Sequence, residues 1–154
     1  MDLLSVMVAD AATAFDGKLY VHGGGWDALV MREFPAEHPS MALAIILSAD
    51  ASEAPGMGEL RVQFVDEDGV DMGIGAAATL GFGHNPLHKA GQRTVVPFAI
   101  TFPKIRFEKP GHYEFRIFWN GDPLNLSAGF SVMSPPPALA GGQALGSAQS
   151  PPNR

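Results

Sequence analysis

Residues 111–122 read GHYEFRIFWNGD. Tyr113, Phe115, Ile117 and Trp119 alternate with His112, Glu114, Arg116 and Phe118. A period of two turns one set toward a core and the other toward water, which is the signature of a half-buried strand. Asn120-Gly121 then closes the run with residues that accept the positive φ of a primed hairpin turn. A further apolar run, 124–133, follows the turn, so the stretch predicts a strand, a tight reversal and a returning strand.

The same grammar recurs in both directions from this stretch. In GELRVQFVDEDG (58–69), Leu60, Val62 and Phe64 alternate with Glu59, Arg61 and Gln63, and Asp68-Gly69 supplies the turn. VVPFAITF (95–102) sets Val96, Phe98, Ile100 and Phe102 on one side, and Pro97 predicts an edge position or a strand start. Asp16-Gly17 separates two further apolar runs. MALAIILSAD (41–50) has helix-favouring residues, but it is short and stands between Pro39 and Pro55, so it reads as a buried strand. Strands are expected over 3–14, 18–31, 41–49, 59–66, 70–82, 93–102, 111–119 and 124–133.

About eight antiparallel strands with frequent turns define an all-β chain, a single antiparallel β-sandwich of immunoglobulin-like or jelly-roll-like type. Lys109-Pro110-Gly111-His112-Tyr113 resembles the tyrosine corner of immunoglobulin-like sandwiches, with Phe115 where a disulfide-bonded domain carries its cysteine. The other reading is a core tyrosine at a strand start. From Ser134 onward SPPPALAGGQALGSAQSPPNR lacks bulky apolar residues, so the expected division is a β-sandwich domain over 1–133 and a disordered tail over 134–154.

Composition excludes several classes of chemistry. With a net charge of −6 the chain repels phosphate backbones, so nucleic acid is not an expected partner. The absence of cysteine removes disulfides, thiolate metal sites and cysteine nucleophiles, and fits a cytoplasmic location. The N-terminal MDLLSVMVADAATA has no basic flank and carries Asp2 and Asp10, which reads as a first strand rather than a signal peptide. No apolar run approaches the roughly 20 residues of a membrane-spanning helix, so no membrane association is expected.

The remaining motifs carry little chemistry. Gly23-Gly24-Gly25 lacks the strand-to-helix context of a phosphate loop and reads as a bend in one long strand. His84 and His88 have the spacing of two ligands on a helix, but Pro86 between them breaks that helix. Asp66-Glu67-Asp68-Gly69 lacks the ligand series of an EF-hand and is explained as a hairpin. No serine lies in a GxSxG elbow, and nothing selects a pair of glycosidase carboxylates. Neither a metal nor a cofactor is expected.

Over residues 1–133 the chain resembles a family of small, mainly actinobacterial proteins known only as a domain of unknown function. The resemblance rests on Ala9-Asp10-Ala11, Asp16-Gly17-Lys18-Leu19, Gly25-Trp26, and Phe34-Pro35 with His38-Pro39, supported by the DEDG turn at 66–69 and Pro110-Gly111 before Tyr113. It implies no activity. The expected function is therefore a non-enzymatic interaction or structural module that binds a protein partner or self-associates. Phe118, Ile46 and Val65 fall opposite the core-facing registers and are expected on outer faces. The alternative is a small-molecule or carbohydrate binder, or an enzyme, with Trp26 or Trp119 stacking on the ligand and Asp27, His22 or His38 as polar groups.

Overall fold

The computed structural model describes residues 1–50, 53, 56–83, 89 and 91–136. His84, His88 and the expected tail from Pro137 onward lie outside these residues. Among the described residues nine strands run in chain order: β1 (Asp2–Phe15), β2 (Lys18–Gly24), β3 (Ala28–Val30), β4 (Ala36–Ala49), β5 (Gly56–Asp66), β6 (Asp71–Phe82), β7 (Thr94–Phe107), β8 (Gly111–Trp119) and β9 (Asp122–Met133). They form a four-stranded sheet, β2-β1-β4-β7, and a five-stranded sheet, β3-β9-β8-β5-β6. Every pairing is antiparallel except β3 with β9.

The two sheets enclose one apolar core. Phe115 stacks 4.9 Å from Phe102 of the facing sheet and 4.5 Å from Phe64 of the neighbouring strand. At this position a disulfide-bonded immunoglobulin domain joins its sheets covalently. Here aromatic rings fill the same place, which suits a chain without cysteine. Tyr113 is buried, and its hydroxyl donates to the Lys109 carbonyl at 2.9 Å, just before β8 begins. This is the tyrosine corner at the β7–β8 turn, and with β9-β8-β5 in one sheet and β4-β7 in the other the wiring follows the immunoglobulin-like pattern.

The glycine-rich stretch departs from expectation. Residues 18–31 do not form one bent strand, because β2 and β3 belong to different sheets. Gly25 N–H still donates to the Val8 carbonyl in the first sheet at 2.8 Å, whereas the Asp27 carbonyl already accepts from Ser131 N–H in the second. The chain thus changes sheet at Trp26 alone. Gly23 and Gly25 flank the crossing with φ of 58° and 80°, a left-handed backbone that side chains disfavour.

The turns also refine expectation. Asp16-Gly17 and Asn120-Gly121 both have positive φ at both residues, as a type I′ hairpin requires. At Asp68-Gly69 only Gly69 is left-handed. Gly69 N–H donates to the Asp66 carbonyl and Asp66 N–H to the Val70 carbonyl, so this is a three-residue loop with a glycine bulge and not a primed turn. Pro97 does lie on an edge strand, β7, and so does Pro103. Lys104 beside it has φ of 50°, and the alternation slips there: Phe102 and Ile105 are buried with two exposed residues between them.

Candidate interaction surface

The residues singled out from the sequence do not form one site. His22 is exposed on edge strand β2, opposite Ala11. Trp26 points inward, edge-on to Phe130 at 5.2 Å and with its ring 6.3 Å from His38. Asp27 is exposed and contributes its backbone carbonyl to the β3–β9 junction. Phe118 lies on the outer side of the five-stranded sheet, half-covered by the Arg61 guanidinium 4.6 Å from its ring centre. Trp26 and His38 are therefore neighbours, while Phe118 stands on a different surface. Trp119 faces the core side and packs against Gly58.

Val65 is a correction. It is 1% exposed and offers no surface, lying beside the bulge where the β5–β6 register shifts. Ile46 remains half-exposed. In the DEDG turn, one carboxylate oxygen of Asp66 accepts the amides of Asp68 and Val70 at 3.0 and 2.9 Å. That oxygen is thereby committed to the turn. Among the described residues no three His, Cys, Asp or Glu side chains converge as a metal-holding group, and no helix is long and apolar enough to cross a membrane.

Among the open clefts formed by the described residues are three that Trp26 does not line. One, of about 380 Å³, lies over β5 and β6 beside Arg61, Gln63, Asp71 and Gly73. Three of its polar groups already engage one another. Gln63 donates to Asp71 at 2.8 Å, and Gly73 N–H donates to the other oxygen of the same carboxylate. The Gln63 hydrogen bond, then that of Gly73, holds the Asp71 carboxyl below its ordinary range. In the cleft beside β8 and β9, Glu114 is held low first by Ser127 and then by Arg116.

The outer side of the four-stranded sheet is different in kind. Direct cross-strand partners share a face, so register defines three rows across β1, β4 and β7: Ala9–Ala42–Thr101, Met7–Ala44–Ala99 and Ser5–Ile46–Pro97. Leu43 and Ile45 between them point into the core. Of the nine row residues Ala9, Ala42 and Ala44 are themselves buried under their larger neighbours, Ser5, Met7, Ile46, Pro97 and Ala99 are half-buried, and Thr101 is exposed. Not one of the nine is charged. By strand spacing and rise the rows span a footprint on the order of 300 Å², and its solvent-facing part comes from the half-buried Met7, Ile46, Pro97 and Ala99 and from exposed Thr101. The opposite sheet shows Arg61 beside Phe118 and Gln63 beside Arg116 on its outer side, the ordinary polar finish.

Sequence reading found Ile46 of this face and missed the rest. The signal was present in MALAIIL, which does not alternate. A strand with one wet face should alternate, and an unbroken apolar run asks for cover on both sides.

The architecture thus defines an all-β, two-sheet sandwich with an apolar outer face. The chain belongs to the family of unknown function DUF6941, whose family model matches residues 4–132. No curated protein and no solved structure shows significant similarity to it.

Proposed function

We propose that the protein is a non-enzymatic interaction module of the cytoplasm that binds a protein through the outer face of β1, β4 and β7. The carrying observation is the uncharged Ser5–Ile46–Pro97 to Ala9–Ala42–Thr101 surface on a chain of net charge −6. Small flat side chains let another surface approach closely, and no buried charge has to be desolvated on contact. The cytoplasmic setting rests on the cysteine-free composition. A ligand stacking on Trp26 is the less supported alternative, since the indole is packed against Phe130 and lines none of the three clefts described above.

The test uses Thr101→Arg, an exposed position on the face, with circular dichroism to verify folding. The immobilised wild-type protein should retain a defined partner from lysate of its own cells, and the variant should lose it. Retention of the same partner by both proteins would remove the face from the argument.

A further inference from the structure

A sandwich of two open sheets has four edges, and three of them are blunted here. Edge strand β7 carries Pro97, Pro103 and left-handed Lys104, and β3 has only three residues. Edge strand β2 has seven residues, begins at Lys18 and is interrupted by left-handed Gly23. Prolines, lysines, short length and irregular backbone are the usual guards against strand addition. The fourth edge, β6, has twelve residues, DMGIGAAATLGF, with no proline and no charge after Asp71; its one left-handed residue, Gly73, lies near its start and leaves Ile74–Phe82 regular. No described strand pairs with its outer side.

The side chains of β6 are poised in the same sense. Met72, Ile74, Ala76 and Leu80 pack against the core yet stay half-exposed on the edge strand of their sheet. The partner that fits can be read from the strand itself. Pairing β6 antiparallel with a second β6 about a two-fold axis at Ala77 sets Ala76 opposite Ala78, Ile74 opposite Leu80 and Gly75 opposite Thr79 of the second copy. Small residues then meet small ones, the large apolar pair extends the core side, and the outer side stays free of bulk. The same register keeps core-facing residues on one side throughout, as a continuous sheet demands.

We propose that β6 is a self-pairing edge through which two copies of this chain join into one continuous ten-stranded sheet. The seam itself is free of the charge that would oppose this occupant, although the two copies repel each other overall. Each copy carries −6, and Ile74–Leu80 brings no carboxylate to the seam. The contact is small by the standard of stable dimers, so a weak, concentration-dependent dimer is expected. The inference does not depend on the β1-β4-β7 face.

The experiment is sedimentation across a concentration series, with Ala77→Lys and Ala77→Glu as the variants. Ala77 is exposed, so either side chain is accommodated in the folded monomer. At the axis each variant faces its own copy, and like charges should weaken the dimer about tenfold or more. Mixing the two variants places opposite charges across the seam and should restore association. A wild-type protein that stays monomeric throughout overturns the proposal. So does a dimer indifferent to both variants, and one that Thr101→Arg abolishes instead belongs to the other face.

Discussion

Removing the Tyr113 hydroxyl is a sharp test of the tyrosine corner. In Tyr113→Phe the ring keeps its place, stacked 5.6 Å from Phe64 and edge-on to Phe107 at 4.9 Å. Only the 2.9 Å bond to the Lys109 carbonyl is lost. One neutral hydrogen bond contributes about 1 kcal/mol, which for a domain of this size lowers Tm by roughly 3–5 °C. The pH dependence gives an independent check. Burial first, then the charges of Asp66, Glu67 and Glu108, raise the Tyr113 phenol above its ordinary value. The neutral phenol is thus favoured in the folded state, so the associated stability is complete below about pH 10, where free tyrosine begins to ionise. It is lost as pH rises beyond that point toward the folded value. Urea titrations at pH 7 and between pH 9 and pH 11 should show the wild type ahead by about 1 kcal/mol at neutrality, with the gap narrowing above pH 10. A gap that stays constant with pH, or a variant as stable as the wild type at pH 7, would refute the reasoning.

Two further substitutions probe the packing. A β-carbon at Gly58 would overlap the Trp119 indole, so Gly58→Ala should cost about 1–3 kcal/mol and shift tryptophan emission to longer wavelength; an unchanged urea midpoint and spectrum would contradict this. Trp26 buries an indole N–H that has no hydrogen-bond partner among the described residues. Trp26→Phe should therefore cost less than about 1 kcal/mol while Trp26→Ala costs about 3 kcal/mol, and equal losses in calorimetry would show that the N–H does have a partner.

Much of the fold was legible because β structure writes itself locally. Tyr113, Phe115 and Ile117 declare their face by alternation, and Asn120-Gly121 and Asp16-Gly17 declare their turns by the backbone angles they tolerate. The sheet change at Trp26 was not legible. A glycine run permits many paths, and what selects this one is the distant β9, whose Ser131 N–H takes the Asp27 carbonyl. The candidate surface failed for a related reason. Alternation assigns a residue to a face but not to an occupant, so Phe118 looked free until Arg61 of the neighbouring strand was seen to cover it. The apolar outer rows became visible only when register aligned Met7, Ala44 and Ala99, residues unremarkable in their own strands.

The parallel pairing of β3 with β9 has a consequence for the order of folding. Ala28 lies opposite Ser131 and Val30 opposite Met133, so an early segment is completed only by the last strand. The β1–β2 hairpin can close on its own soon after it is made. β3 cannot, and closing so long a loop is a slow, entropically costly step. A nascent chain will therefore hold Trp26 and Leu29 uncovered until β9 has emerged. In a time course of refolding, the amides of β3 and the Ser131 amide that bonds the Asp27 carbonyl should be the last to gain protection from exchange, together and after the rest of the β8–β9 hairpin.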